Sequence, residues 1–251
     1  MTEFVKSKDG TRIAYEVAGE GIPILLIHGF ASSRFQNWRD TGWYQTLSGA
    51  GYRVIAMDCR GHGESDKPHD PKAYDHDLMK ADAVAVIRAA GVVAVHLMGY
   101  SMGGYLSMRL LLENPEMLRK VVIAGVGETY LQGQVEQREA IADAMVEPDR
   151  NSISDPAAKA FRIFADQQGK DRLALAACMR APRRAYTASE LARSERPVLV
   201  VCGENDAMTG PPGPLAAAFG DGRAATVPRR DHMTTVGDKV YKQVVVDFLA
   251  S

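Results

Sequence analysis

Cysteine is scarce: Cys59, Cys178 and Cys202 are three among 251 residues, an odd number, scattered and without metal-ligand spacing. That argues against a disulfide framework and against a zinc site. The three read as reduced, mostly buried small residues of a cytoplasmic protein. An excess of one charge is also lacking, since 30 Lys and Arg against 31 Asp and Glu leave a formal net charge of -1. Such a balance gives nucleic acid or an anionic membrane surface nothing to hold. The first ten residues, Met1 to Gly10, contain no apolar signal core. No run approaches the ~20 apolar residues of a membrane-spanning helix. Internal repeats and low-complexity tracts are missing too. What remains, 46% hydrophobic and 24% charged residues, is an ordinary globular composition. The length suits one α/β domain with an insertion, or two modest domains.

The apolar runs come in alternation with helical patterns. Phe4 to Ala18 alternates in character around Asp9-Gly10, a hairpin signal, and predicts two short antiparallel strands at a sheet edge. Continuous apolar runs at 23–30, 53–58, 95–100, 120–125 and 197–203 have the texture of strands buried on both faces. Helices are predicted between them: Trp38 to Ala50; Tyr74 to Ala90, with Leu78, Ala81, Ala85 and Ala89 on one side; and Met102 to Glu113, stopped by Asn114-Pro115. A short helix at Pro214–Phe219, a weak strand at Arg223–Val227 and a last helix at Thr234–Leu249 complete the pattern. Gly127 to about Arg193 has no β-run. It reads as short helices at Gln134–Val146, Asp155–Asp166 and Asp171–Arg180, with Asp155 and Asp171 at N-cap positions and Pro156 at the first helical one. Alternating strands and helices predict a doubly wound, mostly parallel sheet interrupted by a helical insertion, with reactive groups gathered at the carboxyl ends of the strands.

The stretch Gly99-Tyr100-Ser101-Met102-Gly103 lies between such a strand and a helix. That is the layout of a nucleophile elbow, in which the serine sits on a strained turn and side chains two residues either side would collide with strand and helix. The following helix directs free N–H groups and its positive dipole end at any anion formed there. A serine hydroxyl needs a base, and the base needs an orienting carboxylate. His232, in the polar loop after the last strand, and Asp206, just past the strand ending at Cys202, are the candidates. Their bland readings are a solvated loop histidine and an Asx turn.

The order Ser101, Asp206, His232, together with His28-Gly29-Phe30, Asp58-Cys59-Arg60-Gly61-His62-Gly63-Glu64-Ser65 and Gly203-Glu204-Asn205-Asp206, resembles the α/β-hydrolase superfamily over nearly the whole chain outside the insertion. The resemblance implies a core of about eight strands over 1–126 and 191–251, with a helical cap over 127–190. It implies Ser101 as nucleophile, His232 as base and Asp206 as orienting acid, with an oxyanion hole from the N–H groups of Phe30 and Met102. His28, Asp58 and the Arg60–Gly63 loop are expected to be scaffold, and Glu204 an exposed loop carboxylate. Tyr105, Trp38, Trp43, Met145, Phe161, Phe164 and Met179 are candidates for core or pocket lining. A mainly apolar pocket is expected, with Arg180, Arg183 and Arg184 forming a solvated face.

The activity this implies is that of a serine esterase acting on a small-molecule carboxylic ester, with no metal or organic cofactor and neither nucleic acid nor membrane as partner; a homo-oligomer is left open. Relatives of the same fold that hydrolyse C–C bonds often carry Asn before the nucleophile, where this chain has Tyr100. They also have a Gly-rich oxyanion loop, where this chain has Phe30-Ala31-Ser32. Lactone opening and peroxide-dependent perhydrolysis (haloperoxidase-like) are further alternatives. Epoxide hydrolases and haloalkane dehalogenases of this fold use Asp at the elbow, so Ser101 speaks against them. A non-catalytic ligand-binding relative would have no need of an intact serine, histidine and aspartate set.

Overall fold

The turn at Asp9-Gly10 joins β1 (Glu3–Lys6) to β2 (Arg12–Ala18) as an antiparallel edge pair, and β2 pairs antiparallel with β4 (Tyr52–Met57). The remaining pairings are parallel. They run through β3 (Ile22–Ile27), β5 (Val95–Tyr100), β6 (Leu118–Ala124), β7 (Val198–Gly203) and β8 (Gly222–Val227). The sheet order is β1-β2-β4-β3-β5-β6-β7-β8. This computed structural model describes residues 1–132, 136–167 and 169–251.

Helices cover both faces because the central strands are apolar on both. Along β3, Ile24 and Leu26 pack with α1 (Trp43–Gly49) and α9 (Lys239–Ala250), while Leu25 and Ile27 belong to the core under α2 (His76–Ala89) and α3 (Met102–Glu113). The two-residue period of the strand divides one run between two cores.

Three helix expectations need correction. The helix predicted over Trp38–Ala50 is broken: a π-helical turn at Phe35–Arg39 ends before Gly42, whose φ of 82° only glycine takes without strain, and α1 starts at Trp43. In α2 the buried stripe is Met79, Asp82, Ala83, Val86 and Ile87, one residue round from Leu78, Ala81, Ala85 and Ala89. Asp82 lies inward because it meets Arg60, at 2.6 and 2.7 Å. The last helix begins at Lys239, capped by the Asp238 carboxylate on the Val240 amide, because Asp231 ties the 231–234 segment into a turn.

Between β6 and β7 the described residues form no strand. Here lie α4 (Glu136–Val146), α5 (Pro156–Ala165), α6 (Arg172–Arg180) and α7 (Ala188–Leu191), after a 3-10 turn at Glu128–Gln132. Gln134 and Val135, predicted to open α4, lie outside the described residues. Asp155 and Asp171 cap α5 and α6 through their side chains, and Pro156 takes the first position of α5. The unpredicted α7 starts on a Thr187/Glu190 capping box and runs across the 190/191 boundary. After β7 comes α8 (Gly213–Ala217). No helix among the described residues is long and apolar enough to cross a membrane.

Candidate active site

Ser101 follows β5 with φ 51° and ψ -112°, a positive φ that costs a non-glycine residue about 1–3 kcal/mol and stands where α3 begins. The flanking glycines allow it. A Cβ on Gly99 would overlap the carbonyl of Gly103, and one on Gly103 would overlap the carbonyl of Ile27 at the end of β3. The hydroxyl faces Nε2 of His232 at 3.0 Å, and Nδ1 of His232 faces Oδ2 of Asp206 at 2.8 Å. Asp206 and His232 are buried. The Asx turn at Asp206 is present as well: Oδ1 accepts the amides of Met208 and Thr209, both at 3.2 Å, which leaves Oδ2 for the imidazole. The two readings of Asp206 use different oxygens.

Phe30 and Met102, expected to supply two amides beside the serine, both stand there in the wall of a shared cavity. Neither backbone N–H donates to another group among the described residues. Met102 is the first residue of α3, where an amide has no intrahelical acceptor. The strand-to-loop segment before Phe30 is held by Asn37, whose Oδ1 accepts the Gly29 amide at 3.1 Å.

The neighbouring motif residues build the frame. His28 accepts the Cys59 amide at 3.0 Å and is fully buried; burial holds its pKa down to about 4. Asp58 accepts the amides of Arg34 at 2.7 Å and Glu64 at 2.8 Å and is ion-paired with the Arg34 guanidinium. Its carboxyl is nonetheless raised, because burial outweighs those contacts. Gly63, at φ 50°, leaves the space that the Asp58 carboxylate fills. Arg60 bonds Asp82 and Asp9. Glu204 is exposed and accepts the Arg229 amide at 2.7 Å, away from the serine–histidine–aspartate set.

Two cavities meet at Ser101, His232, Phe30 and Phe161. The smaller, about 190 Å³, has Phe164, Asn37 and Val236 in its wall. The larger, about 470 Å³, has Tyr105, Met179 and a group of arginines. The aromatic candidates therefore divide: Tyr105, Phe161, Phe164 and Met179 line cavity, whereas Trp38, Trp43 and Met145 are fully buried core. Trp43 meets Tyr241 edge-to-face, with ring centroids 4.8 Å apart. The arginine expectation holds in part. Arg180 and Arg184 are exposed, as expected of a solvated face. Arg183 instead is half-buried in the wall of the larger cavity and Arg138 joins it there, because the segment after α6 turns back beside α4; the rest of that wall is mainly apolar, as expected.

Sequence reasoning missed Tyr100 and Asn37. The Tyr100 hydroxyl donates to the carbonyl of His232 at 2.6 Å, and the two rings lie 5.6 Å apart. Its position directly before Ser101 was the available signal. Asn37 gave none, since it stands just before the helix predicted from Trp38 and an amide there is common. Among the described residues no three His, Cys, Asp or Glu side chains come together to hold a metal ion.

Residues 22–155 match the family model of the alpha/beta hydrolase fold. Bifunctional epoxide hydrolase 2 of Sus scrofa is 34% identical over 120 residues, covering 47% of this chain and 21% of that protein. The chain spans between 21% and 64% of the length of the curated relatives it matches. Among solved structures, a hydrolase from Pseudomonas aeruginosa PA01 superposes with a TM-score of 0.82 at 24% identity, covering 100% of this chain and 98% of that one. An esterase from Exiguobacterium antarcticum does so at 0.75 and 21%, covering 100% of both. Below 25% identity these superpositions speak for the fold alone, and with the match over more than half its length the chain belongs to the alpha/beta hydrolase fold family, a family of hydrolases.

Proposed function

We propose that this chain is a serine hydrolase that cleaves a small carboxylic ester through an acyl-enzyme. The observation that carries the reading is the chain of contacts from hydroxyl to imidazole to carboxylate, 3.0 and 2.8 Å. With Asp206 accepting from Nδ1–H, Nε2 of His232 presents a lone pair to the Ser101 hydroxyl. Ser101 attacks the ester carbonyl as its proton passes to Nε2. The oxyanion lies against the N–H groups of Phe30 and Met102, two fixed donors of a kind worth about 10²–10³ in rate each. The alcohol leaves with the proton from His232, and water then repeats the cycle on the acyl-enzyme. The helical insertion serves as the cap: Phe161 of α5 meets Phe30 edge-on at 5.7 Å, and Cys178 of α6 lies 3.8 Å from the Met102 sulfur. Three free, buried cysteines suit a reducing compartment such as the cytoplasm.

The epoxide hydrolase named among the relatives suggests a different reaction, and Ser101 weighs against it. A carboxylate that opens an epoxide forms an ester, which water can cleave at the carbonyl. Serine would form an ether, which has no carbonyl to attack. Lactone opening needs the same atoms as ester cleavage and belongs to the same reading.

The test is turnover of p-nitrophenyl acetate and butyrate together with labelling by a fluorophosphonate. Wild type should be phosphonylated at Ser101 with loss of fluoride, seen by mass spectrometry of the peptide, and Ser101→Ala should be inert in both assays. Undiminished ester hydrolysis by Ser101→Ala would sink the proposal.

A further inference from the structure

The larger cavity beside Ser101 has four arginines in its wall, and they are not equivalent. Arg180 bonds Glu139 at 3.3 Å and Asp143 at 2.7 Å, and Arg184 is ion-paired with Glu190. Glu139 also faces the cavity, but it is engaged by Arg180. Arg138 and Arg183 have no carboxylate within ion-pair distance among the described residues. One Nη of Arg138 donates to the carbonyls of Cys178, Met179 and Ala181 at 2.6–3.3 Å, and its buried Nε has no partner among the described residues. Arg183 is half-buried, its Cζ 5.9 Å from the centre of the Tyr105 ring.

The consequences of two unneutralised cations show in the groups around them. Burial first, then the charge of Arg183, lowers the pKa of Arg138 to about 10. His76, in the same wall, is held down to about 4 by burial and then by Arg183, Arg109 and Arg138. Arg109 is itself paired with Asp77 and Glu113, so the net positive field comes from the other two. Like charges facing a partly enclosed space repel, and an anion between them removes that repulsion while gaining charge-assisted hydrogen bonds. The same cavity has Ser101 and His232 in its lining, so an anion there can belong to the molecule whose ester is attacked.

We infer that the larger cavity receives a free carboxylate carried by the substrate, held by Arg183 and Arg138 while the ester group meets Ser101; the substrate class is acid-bearing esters such as half-esters of dicarboxylic acids. This rests on the serine hydrolase reading above. A planar carboxylate matches the fork of a guanidinium, and the flat aromatic Tyr105 beneath Arg183 keeps that fork oriented.

Mono-p-nitrophenyl glutarate and p-nitrophenyl pentanoate have the same acyl length and differ in the terminal carboxylate, so their ratio of kcat/KM reads the site. We expect a preference of about tenfold or more for the glutarate, residing in KM, the size of one charge-assisted contact. R183Q lowers that ratio about tenfold, R183K restores part of it, and added salt shrinks it in the wild type. A wild-type ratio near one, or a ratio that R183Q leaves unchanged, overturns the inference. Calorimetric titration of the Ser101→Ala protein with glutarate, with and without R183Q, separates this from the hydrolase reading. Glutarate binding that R183Q weakens, with neither ester turned over by wild type, would remove the hydrolase reading and leave the anion site standing. Turnover of both esters without glutarate binding removes the anion site alone, and tighter binding of inorganic phosphate than of glutarate overturns the carboxylate assignment.

Discussion

The Cys59 amide donates to Nε2 of His28 at 3.0 Å, and that contact decides the protonation of a fully buried imidazole. A backbone N–H only donates, so Nε2 must accept, and the ring proton sits on Nδ1, where it is given to the Gly29 carbonyl at 2.7 Å. A second ring proton would set N–H against N–H. His28 is a neutral spacer between the ends of two strands.

A pH dependence of stability follows. Burial is the main cause lowering His28 to about 4, His62 to about 3 and His96 to about 4, from 6.5. Between those values and 6.5 the unfolded chain binds more protons, so their contribution is complete above pH 6.5 and declines as pH falls toward 4. The slope is about 1.4 kcal/mol per pH unit for each proton taken up. Urea midpoints should fall steadily from pH 7 to about 4.5. His28→Asn should start from a lower midpoint at pH 7 and show a shallower decline. A midpoint that stays level across this window contradicts the account.

Asp206→Asn isolates orientation from folding. The amide oxygen can still accept from Met208 and Thr209, but the NH2 now faces Nδ1 and drives the proton to Nε2, which then cannot accept from Ser101. Circular dichroism and Tm should stay near wild type while kcat on a p-nitrophenyl ester falls by about 10⁴. A loss below about tenfold would argue that Asp206 does not orient His232.

Two glycine substitutions should behave oppositely. A Cβ on Gly103 overlaps the Ile27 carbonyl, whereas one on Gly49, in α1, meets nothing within 4 Å. Gly103→Ala is expected to cost about 2–4 kcal/mol, or roughly 5–15 °C in Tm. Gly49→Ala should be neutral or stabilising by up to ~1 kcal/mol, which thermal unfolding of the two variants compares directly.

Asp82→Ala strands a fully buried Arg60, and the expected cost is about 3–5 kcal/mol. Replacing both, R60L with D82L, should recover part of that loss, since no charge is then left unpaired. Urea denaturation measures each. A single-variant cost under ~1 kcal/mol would mean that Asp9 and the Ala73 carbonyl satisfy Arg60 alone.

Legibility in the sequence depended on how local each cause was. The caps at Asp155 and Asp171 and the first-turn Pro156 act within three residues, so they could be read directly. Ser101, Asp206 and His232 follow β5, β7 and β8, and the parallel order of those strands brings the three within contact. The inward face of α2 could not be read, because Asp82 is buried by an arginine 22 positions away. Arg183 looks solvated along the chain and lines a cavity in space, since its surroundings come from α3 and α4. Tyr100 reaches a carbonyl 132 positions on, beyond any local pattern.

β8 is the outermost strand on its side, bonded to β7 alone, with several outward-exposed residues. The imidazole follows β8 and the carboxylate follows β7, while the hydroxyl follows β5, deep in the middle. Fraying at that one margin therefore disassembles the reactive trio and leaves six strands intact. In rising denaturant, ester turnover will vanish before the circular dichroism does, so a colorimetric assay on this protein is also a gauge of how tightly one border of its sheet is stitched.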